Sequence, residues 1–414
     1  MKSSFIRIKR DIEKLSEFSE TQIGCTRFPY TKEDKSARNY LIEEMKKIGL
    51  SVRIDGIGNI HGVLEGTKDL PKVMMGSHID TVFEGGNFDG VGGVICGLEV
   101  MRVLKEEKII LDHPVELVVF VGEEGCDFDS PYIGSKVLTG KFHIEDLKKI
   151  RNKKGISAYN AAKDFGLDPD TIHKDVLVSK DIKAMVELHI EQSLVLDHEN
   201  ISIGIVENIA GLSRLEVIVK GVANHSGATP MYLRQDALLA CARMITKVNE
   251  ITIEKGNCST VATVGRILCS PNQVNAIGGE VSFTIDIRDI DKKMIQTITE
   301  EVIKNIKEIA VNEHVEIQIY NIGTGDPMEL SSNIIDMIEE VVKSKNIKSK
   351  RMNSGAGHDA CMFEDITDVG MIFVPSVGGR SHVPEEFTKY EDLQLGCEVL
   401  LDTIIKLALD FYSK

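Results

Sequence analysis

Apolar positions recur along the chain in two alternating periods, and these predict its elements. Ile8, Ile12 and Leu15 fall at helical spacing among charged residues, which predicts an amphipathic surface helix near the start. Residues 31–48 predict a second helix, with Thr31 as cap, Glu33 and Asp34 in the first turn, and Leu41, Met45 and Ile48 as its buried stripe. Gly49 closes it. Residues 52–54 and 59–64 read as strands, the latter with His61 as a surface residue. Val73-Met74-Met75 and the β-branched run 115–121 read as buried strands on either side of an apolar-faced helix, Val94 to Leu104. Residues 184–192 form a further strand, in which period two puts Glu187, His189 and Glu191 on one face.

Near Gly211 the texture changes to amphipathic alternation. Strands at 215–220, 260–267, 281–287 and 315–320 are interleaved with helices at 236–250 and 292–311. That β-α-β-β-α-β order predicts a compact ferredoxin-like α+β domain over 211–326, inserted into an α/β domain made of 1–210 and 327–414. The last part returns to helix-plus-strand units, with a buried strand at 370–375 leading to Gly378-Gly379-Arg380-Ser381-His382.

Composition narrows the function classes. At 414 residues, with 42% hydrophobic and 27% charged, the chain has material for a sizeable core in two domains. No apolar run reaches the roughly 18–20 residues of a membrane span, and the charged start is unlike a signal peptide, so the expected location is the cytoplasm. A net charge of -15 without a basic, aromatic-interleaved cluster argues against nucleic acid and leaves small molecules as partners. Eight cysteines with no CxxC pair read as free thiols, with Cys96 and Cys361 in core packing.

The chemistry centres on residues 76–93. His78 and Asp80 project from one face of a strand end, and Asp80 is the nearest acceptor for the ring nitrogen of His78 that a metal would leave over. Asp89 follows in a turn with glycines at 85, 86, 90, 92 and 93. Taken alone, this is equally a chance pair beside an ordinary loop. Glu123 and Glu124 stand in a row at another strand end, so one can bind a metal while the other reaches the water on it; alone, a solvated acidic turn is the better reading. Together His78, Asp89, Glu123, Glu124, His189 and His382 all fall at or near strand ends of one predicted α/β domain, where such sheets bind ligands. Nitrogen and oxygen donors without thiolate suit zinc, manganese, cobalt or nickel, and two sites sharing a carboxylate hold ions roughly 3.5–4 Å apart.

In combination, the motifs resemble the M20 metallopeptidase superfamily, which also holds the aminoacylases. Within it they resemble the branch of N-carbamoyl-L-amino acid hydrolases, β-ureidopropionases and allantoate amidohydrolases. The stretches are GSHIDTVFEGGNFDGVGGV from 76, EEG at 123–125, ELHIEQ at 187–192, GVANHSGATPM at 221–231, PNQVNAIGGEVSFTIDIR at 271–288, SGAGHDA at 354–360 and FVPSVGGRSHVPEE at 373–386. The resemblance implies two divalent ions per subunit, one on His78 and His189, the other on Glu124 and His382, with Asp89 bridging. It implies Glu123 as general base, with Asp80 beside it in the catalytic set.

The inserted domain resembles a lid and dimerisation domain, which implies a homodimer. In it, Arg288 would grip a substrate carboxylate, and His225, which in this family can come from the neighbouring subunit, would stabilise an oxyanion. Asn275, Gln192 and Gly357 would be further substrate contacts. An arginine in a strand-end salt bridge and a histidine capping a turn are the plainer alternatives. His358 and Asp359 read as ordering their glycine-rich turn. Three departures, Gly125-Cys126-Asp127-Phe128 for Gly-Ser-Arg-Phe, Ser193 for glycine and Val383 for a small polar residue, bear on the substrate side chain.

The expected activity is hydrolysis of the carbamoyl C–N bond of an N-carbamoyl-L-amino acid. Allantoate or another ureide is the nearest alternative, then an N-acyl amino acid or dipeptide. A non-catalytic metal-dependent binding protein is a hypothesis of a different class, against which the presence of a base beside five ligands argues.

Overall fold

The β-branched and apolar runs fold as strands that carry the polar residues above at their ends. In a computed structural model, which describes residues 2–410, these are β1 (Ser51–Ile54), β2 (Ile60–Leu64), β3 (Lys72–His78), β4 (Val115–Phe120), β5 (Ile182–Ile190) and β6 (Ile203–Ile209). They continue with β7 (Gly211–Lys220), β8 (Val261–Ser270), β9 (Glu280–Asp289), β10 (Glu316–Gly325), β11 (Met328–Glu329), β12 (Ser349–Ser354) and β13 (Asp368–Val374). The chain divides into two units. The larger takes the chain up to Glu207, Leu330–Met352 and the chain from His358 on; the smaller takes Asn208–Glu329 and Asn353–Gly357. The sequence pattern places the whole of 327–414 in one domain. Asn353–Gly357 instead joins the smaller unit, where the Ser354 carbonyl accepts from Ala210 N–H and the Gly355 carbonyl accepts from Arg288.

In the larger unit the strands run β1-β2-β4-β3-β5-β13-β6. The β4, β3, β5 and β13 strands are parallel, with antiparallel β1 and β2 on one side and β6 on the other. Parallel strands are stable where both faces are covered, and these are buried along nearly their whole length. Helices Val91–Glu106 and Tyr390–Ala408 pack on each other and against β3 and β5. Helix Phe5–Ser16 buries Ile8, Ile12 and Leu15. Helix Lys32–Ile48 has Thr31 Oγ1 accepting from Asp34 N–H and ends on Gly49 at φ 85°.

His61 is a correction. It is buried, not a surface residue, with Nδ1 3.0 Å from Glu116 Oε1 and Nε2 3.3 Å from Asp55 Oδ2. Two buried carboxylates need such a partner, and Glu116 lies on β4, 55 positions away in sequence.

The smaller unit has the strand order β10-β7-β9-β8, antiparallel throughout, which is the ferredoxin-like arrangement. Helices Ala237–Lys255 and Lys292–Asn312 bury Leu215, Val217, Val219, Phe283, Ile285 and Ile287 in one core. Residues in between, including Arg214, Asp286 and Arg288, alternate onto the other face, as period two requires. Among the described residues no helix is long and apolar enough to cross a membrane. All eight cysteines are free; Cys96 is buried and Cys361 only partly so.

Candidate active site

β3, β4, β5 and β13 end side by side: His78 is in register with Phe120, and His189 with Phe373. The segments leaving those ends therefore meet beyond the carboxyl edge of the sheet. Gly90 makes one of the approaches possible. It has φ 64°, and a Cβ there would lie 2.4 Å from His78 Nε2, so a larger residue could not bring Asp89 onto that ring.

Asp89 divides its two oxygens. Oδ1 is 3.7 Å from His78 Nε2 and 3.1 Å from His189 Nε2, while Oδ2 is 3.0 Å from His382 Nε2, which is itself 3.5 Å from Glu124 Oε2. His78 Nδ1 faces the Asp80 carbonyl at 3.0 Å and His189 Nδ1 the Ile190 carbonyl at 2.9 Å. Carbonyls only accept, so Nδ1 carries a proton in both rings and Nε2 is the atom aimed at Asp89. His78, Asp89 and His189 form one group of donor atoms within 4.8 Å of one another, and Asp89, Glu124 and His382 form another. Donors held about 2.0–2.2 Å from a tetrahedral ion lie roughly 3.3–3.6 Å apart. The observed spacings bracket that range, so the residues fit a pair of divalent ions.

The charges of the chain point the same way. Burial, then the carboxylates of Glu124, Asp359, Asp80 and Asp89, holds Glu123 well above the usual carboxylate range, and burial with Asp89 does the same to Glu124. Burial opposes ionisation of Asp89, but hydrogen bonds from His189 and His382 outweigh it and pull it well down. His189 is pushed up to about 9 because Asp89 outweighs its burial; His382 also reaches about 9, chiefly through its hydrogen bond to Asp89. Such crowding of buried carboxylates is costly unless cations compensate it.

Asp80 acts differently from the expectation. Its carboxylate stands 3.8 Å from His78 Nδ1, and its main-chain carbonyl takes that contact. The carboxylate instead accepts the N–H groups of Gly122, Glu123 and Glu124 at 3.2, 3.2 and 3.1 Å, and so holds the turn that carries both glutamates. Gln192, at φ 56°, donates to Asp89 Oδ2 at 2.7 Å, leaving its Oε1 buried without a partner.

Four further buried residues stand at the site, beyond the roles the sequence pattern predicts. His358 is buried with its ring centroid 4.5 Å from that of His189, and Glu187, His189 and His358 form a further donor cluster. Glu187 accepts from Ser77 Oγ and Ala360 N–H. Asp359 is buried; its Oδ1 accepts from Ser135 Oγ and its Oδ2 has no partner. Glu386 is buried against the Asp89 and His382 segments. Its signal lay in the RSHVPEE stretch, four positions after His382.

Within the smaller unit, Arg288 Nε and Nη2 donate to the two oxygens of Asp286 at 2.8 and 3.1 Å, and Nη1 to the Gly355 carbonyl at 2.7 Å. Arg214 shares Asp286 at 2.7 Å. Burial opposes the charge of Asp286, but Arg288 and Arg214 outweigh it and hold it low. These residues line a cavity of about 530 Å³ with Thr263, Thr284 and Gly355. His225 is exposed, and its Nδ1 accepts from Gly227 and Ala228 N–H, so its proton sits on Nε2 and that end of the ring is a donor. Asn275, also exposed, adjoins it through a bond from Ser226 N–H to its carbonyl. Gly357 is partly buried and ends the segment that contains Gly355.

A mixed-sheet α/β domain with nitrogen and oxygen donors gathered at its strand ends, interrupted by a four-stranded α+β domain, defines a two-domain metallohydrolase. The chain belongs to the peptidase family M20/M25/M40, whose family model matches residues 74–406. It is a hydrolase of C–N bonds. It is 40% identical to an N-carbamoyl-L-amino-acid amidohydrolase of Paenarthrobacter aurescens over 396 residues, covering 95% of this chain and 96% of the relative. It is 34% identical to an allantoate amidohydrolase of Bacillus subtilis (strain 168), covering 96% of each. The crystal structure of an amidase of the hydantoinase/carbamoylase family from Burkholderia multivorans superposes with a TM-score of 0.92 at 30% identity, covering 99% of each chain.

Proposed function

We propose that this chain is a cytoplasmic, homodimeric hydrolase that holds two divalent ions, zinc or else manganese, cobalt or nickel, and splits the carbamoyl C–N bond of N-carbamoyl-L-amino acids. The observation that carries this reading is Glu123. It is a buried carboxylate whose Oε2 stands 3.8 Å from His78 Nε2, beside the two donor groups that share Asp89. His78 and His189 would hold one ion and Glu124 and His382 the other, with Asp89 shared between the two groups. Bound there, divalent ions lower the pKa of water and polarise a carbonyl. Glu123 takes the proton of the attacking water and returns it to the leaving nitrogen. The C–O bond forms first, placing negative charge on the former carbonyl oxygen, and the C–N bond then breaks; ammonia leaves, and the carbamic acid loses carbon dioxide to free the amino acid.

Asp80 keeps Glu123 and Glu124 in place through their amides. His225 Nε2–H supplies a donor for the oxyanion, and Arg288 a fork for the substrate carboxylate. Asn275, Gln192 and Gly357 are further substrate contacts. Met231, Tyr232, Leu233 and Val274, exposed in the smaller unit near His225 and Asn275, support self-association. The mass in solution tests it; a monomer at assay concentration refutes it.

The names of the relatives favour ureido substrates and divide among N-carbamoyl-L-amino acids, ureidoglycolate and allantoate. Ammonia release by chelated protein reloaded with manganese or zinc separates the readings. Faster turnover of N-carbamoyl-L-amino acids than of allantoate supports the proposal, and the reverse selects allantoate. Metal-dependent cleavage of N-acetyl amino acids or dipeptides alone overturns both.

A further inference from the structure

We propose that Glu386 is a positioning residue whose carboxylate stitches the segment bearing Asp89 to the segment bearing His382, and that binding of the second ion depends on it. The proposal rests on the two-ion reading above.

Glu386 is 4% exposed, and both of its oxygens are used. Oε1 accepts from Phe88 N–H at 2.9 Å and Asp89 N–H at 3.0 Å. Oε2 accepts from Ser381 Oγ at 2.8 Å and His382 N–H at 3.3 Å. Ser381 Oγ is also 3.0 Å from Asp89 Oδ2, so its single proton either ties the two segments directly or braces the carboxylate that does. All four partners are donors. An ionised carboxylate offers acceptors alone, whereas a glutamine in its place would turn an NH2 group against at least one N–H.

Two independent features mark the contact as built. Gly86 has no positive φ to explain it, yet a Cβ there would lie 2.1 Å from Glu386 Oε1. The chain leaves out a side chain at 86 where the carboxylate enters. His382, in turn, holds a left-handed backbone at φ 60°, a conformation that costs a non-glycine residue free energy and persists where its surroundings enforce it. Glu386 grips the N–H of that residue.

The three histidines are supported unequally, and this gives the proposal its direction. His78 and His189 lie within β3 and β5, are 1% exposed, and have Nδ1 tied to carbonyls. The His382 side chain is 48% exposed on a loop. Loosening the stitch therefore frees the Asp89–His382 spacing, while His78 and His189 keep their strand support.

The test is Mn2+ binding to the metal-free full-length protein, read as stoichiometry and affinity by calorimetry or by competition with a chelator. Circular dichroism verifies folding. The wild type is expected to take two equivalents; one or none refutes the two-ion reading itself. With two in the wild type, E386Q is expected to keep the tighter equivalent within about threefold and to weaken the other about 10- to 100-fold, the usual effect of removing such a support. G86A, which drives the carboxylate out, is expected to do the same and to add nothing in the G86A/E386A double variant. S381A is expected to weaken the same equivalent less. Wild-type binding of both equivalents in folded E386Q, or equal weakening of both, overturns the proposal. Should E386Q not fold, a normal second equivalent in folded G86A and S381A overturns it equally.

Discussion

Replacing Arg288 by alanine is expected to cost about 100-fold in kcat/KM on N-carbamoyl-L-amino acids, nearly all of it in KM. Asp286 takes the Nε/Nη2 edge and the Gly355 carbonyl accepts from Nη1, so the guanidinium is ordered in advance and a substrate carboxylate is expected on its Nη1/Nη2 edge. Two charge-assisted bonds contribute about 1.5–3 kcal/mol each. The arginine side chain is 25% exposed, which selects the lower end, about 3 kcal/mol in all. That is roughly 100-fold. Removing Arg288 also leaves Asp286 paired with Arg214, so no bare charge inflates the loss.

The effect belongs in KM because the substrate carboxylate takes no part in the bonds made and broken and is gripped equally in the ground and transition states. R288K keeps the charge and loses the fork, and should fall between. The assay is steady-state ammonia release from an N-carbamoyl-L-amino acid and from its carboxamide. R288A should converge on the wild-type rate for the carboxamide and lose nothing further on it. Equal losses on acid and amide, or an unchanged KM on the acid, would refute the reasoning.

Three further outcomes are expected. E123Q should retain its metal content by elemental analysis and lose about 10²- to 10⁴-fold in kcat, the range for a positioned base; unchanged turnover excludes Glu123 from that role. G90A should abolish tight metal binding, because its Cβ would lie 2.4 Å from His78 Nε2 on a φ of 64°; normal metal affinity in the folded variant contradicts the geometry. For stability against pH, burial opposes ionisation of Glu116, but His61 and Lys72 outweigh it and bring it from 4.5 down to about 2. A depressed carboxyl stabilises above its unfolded value and loses that contribution as pH falls, here between about 4.5 and 2 and worth about 3 kcal/mol. Acid titration of unfolding should lose that segment in E116Q; an unaltered profile would deny the pair its role.

The parts of the site legible in the sequence were those written locally. A strand run ending on His78, a glycine-rich turn around Asp89, and Glu123-Glu124 after a β-branched run each announce themselves within a few residues. The ferredoxin-like unit was legible for the same reason, since its alternation and its order are carried by consecutive segments. What stayed hidden depends on distant partners. Glu386 meets Phe88 across 298 positions, and His61 meets Glu116 across 55, so the neighbours of neither disclose a buried role. For Asp80 the sequence indicates the right neighbourhood but the wrong atom. Period two aims its side chain with that of His78, yet the turn after β4 offers three amides that only a carboxylate can collect. Asn353–Gly357 joins the smaller unit through bonds to Ala210 and Arg288, which no local pattern records.

The place of β13 in the sheet sets an order of events during synthesis. It lies between β5 and β6, which precede it in the chain by more than 150 residues. A growing polypeptide can pair β3, β4 and β5 early, but the flank of β5 stays open until residue 374 has left the ribosome. An unpaired strand edge of that kind invites wrong partners, and slow, non-local closure lengthens the exposure. The same late segment brings His382 and Glu386. Products of premature termination thus have neither a closed sheet nor a complete set of donors, and completion of the fold and assembly of the reactive centre coincide in one final step.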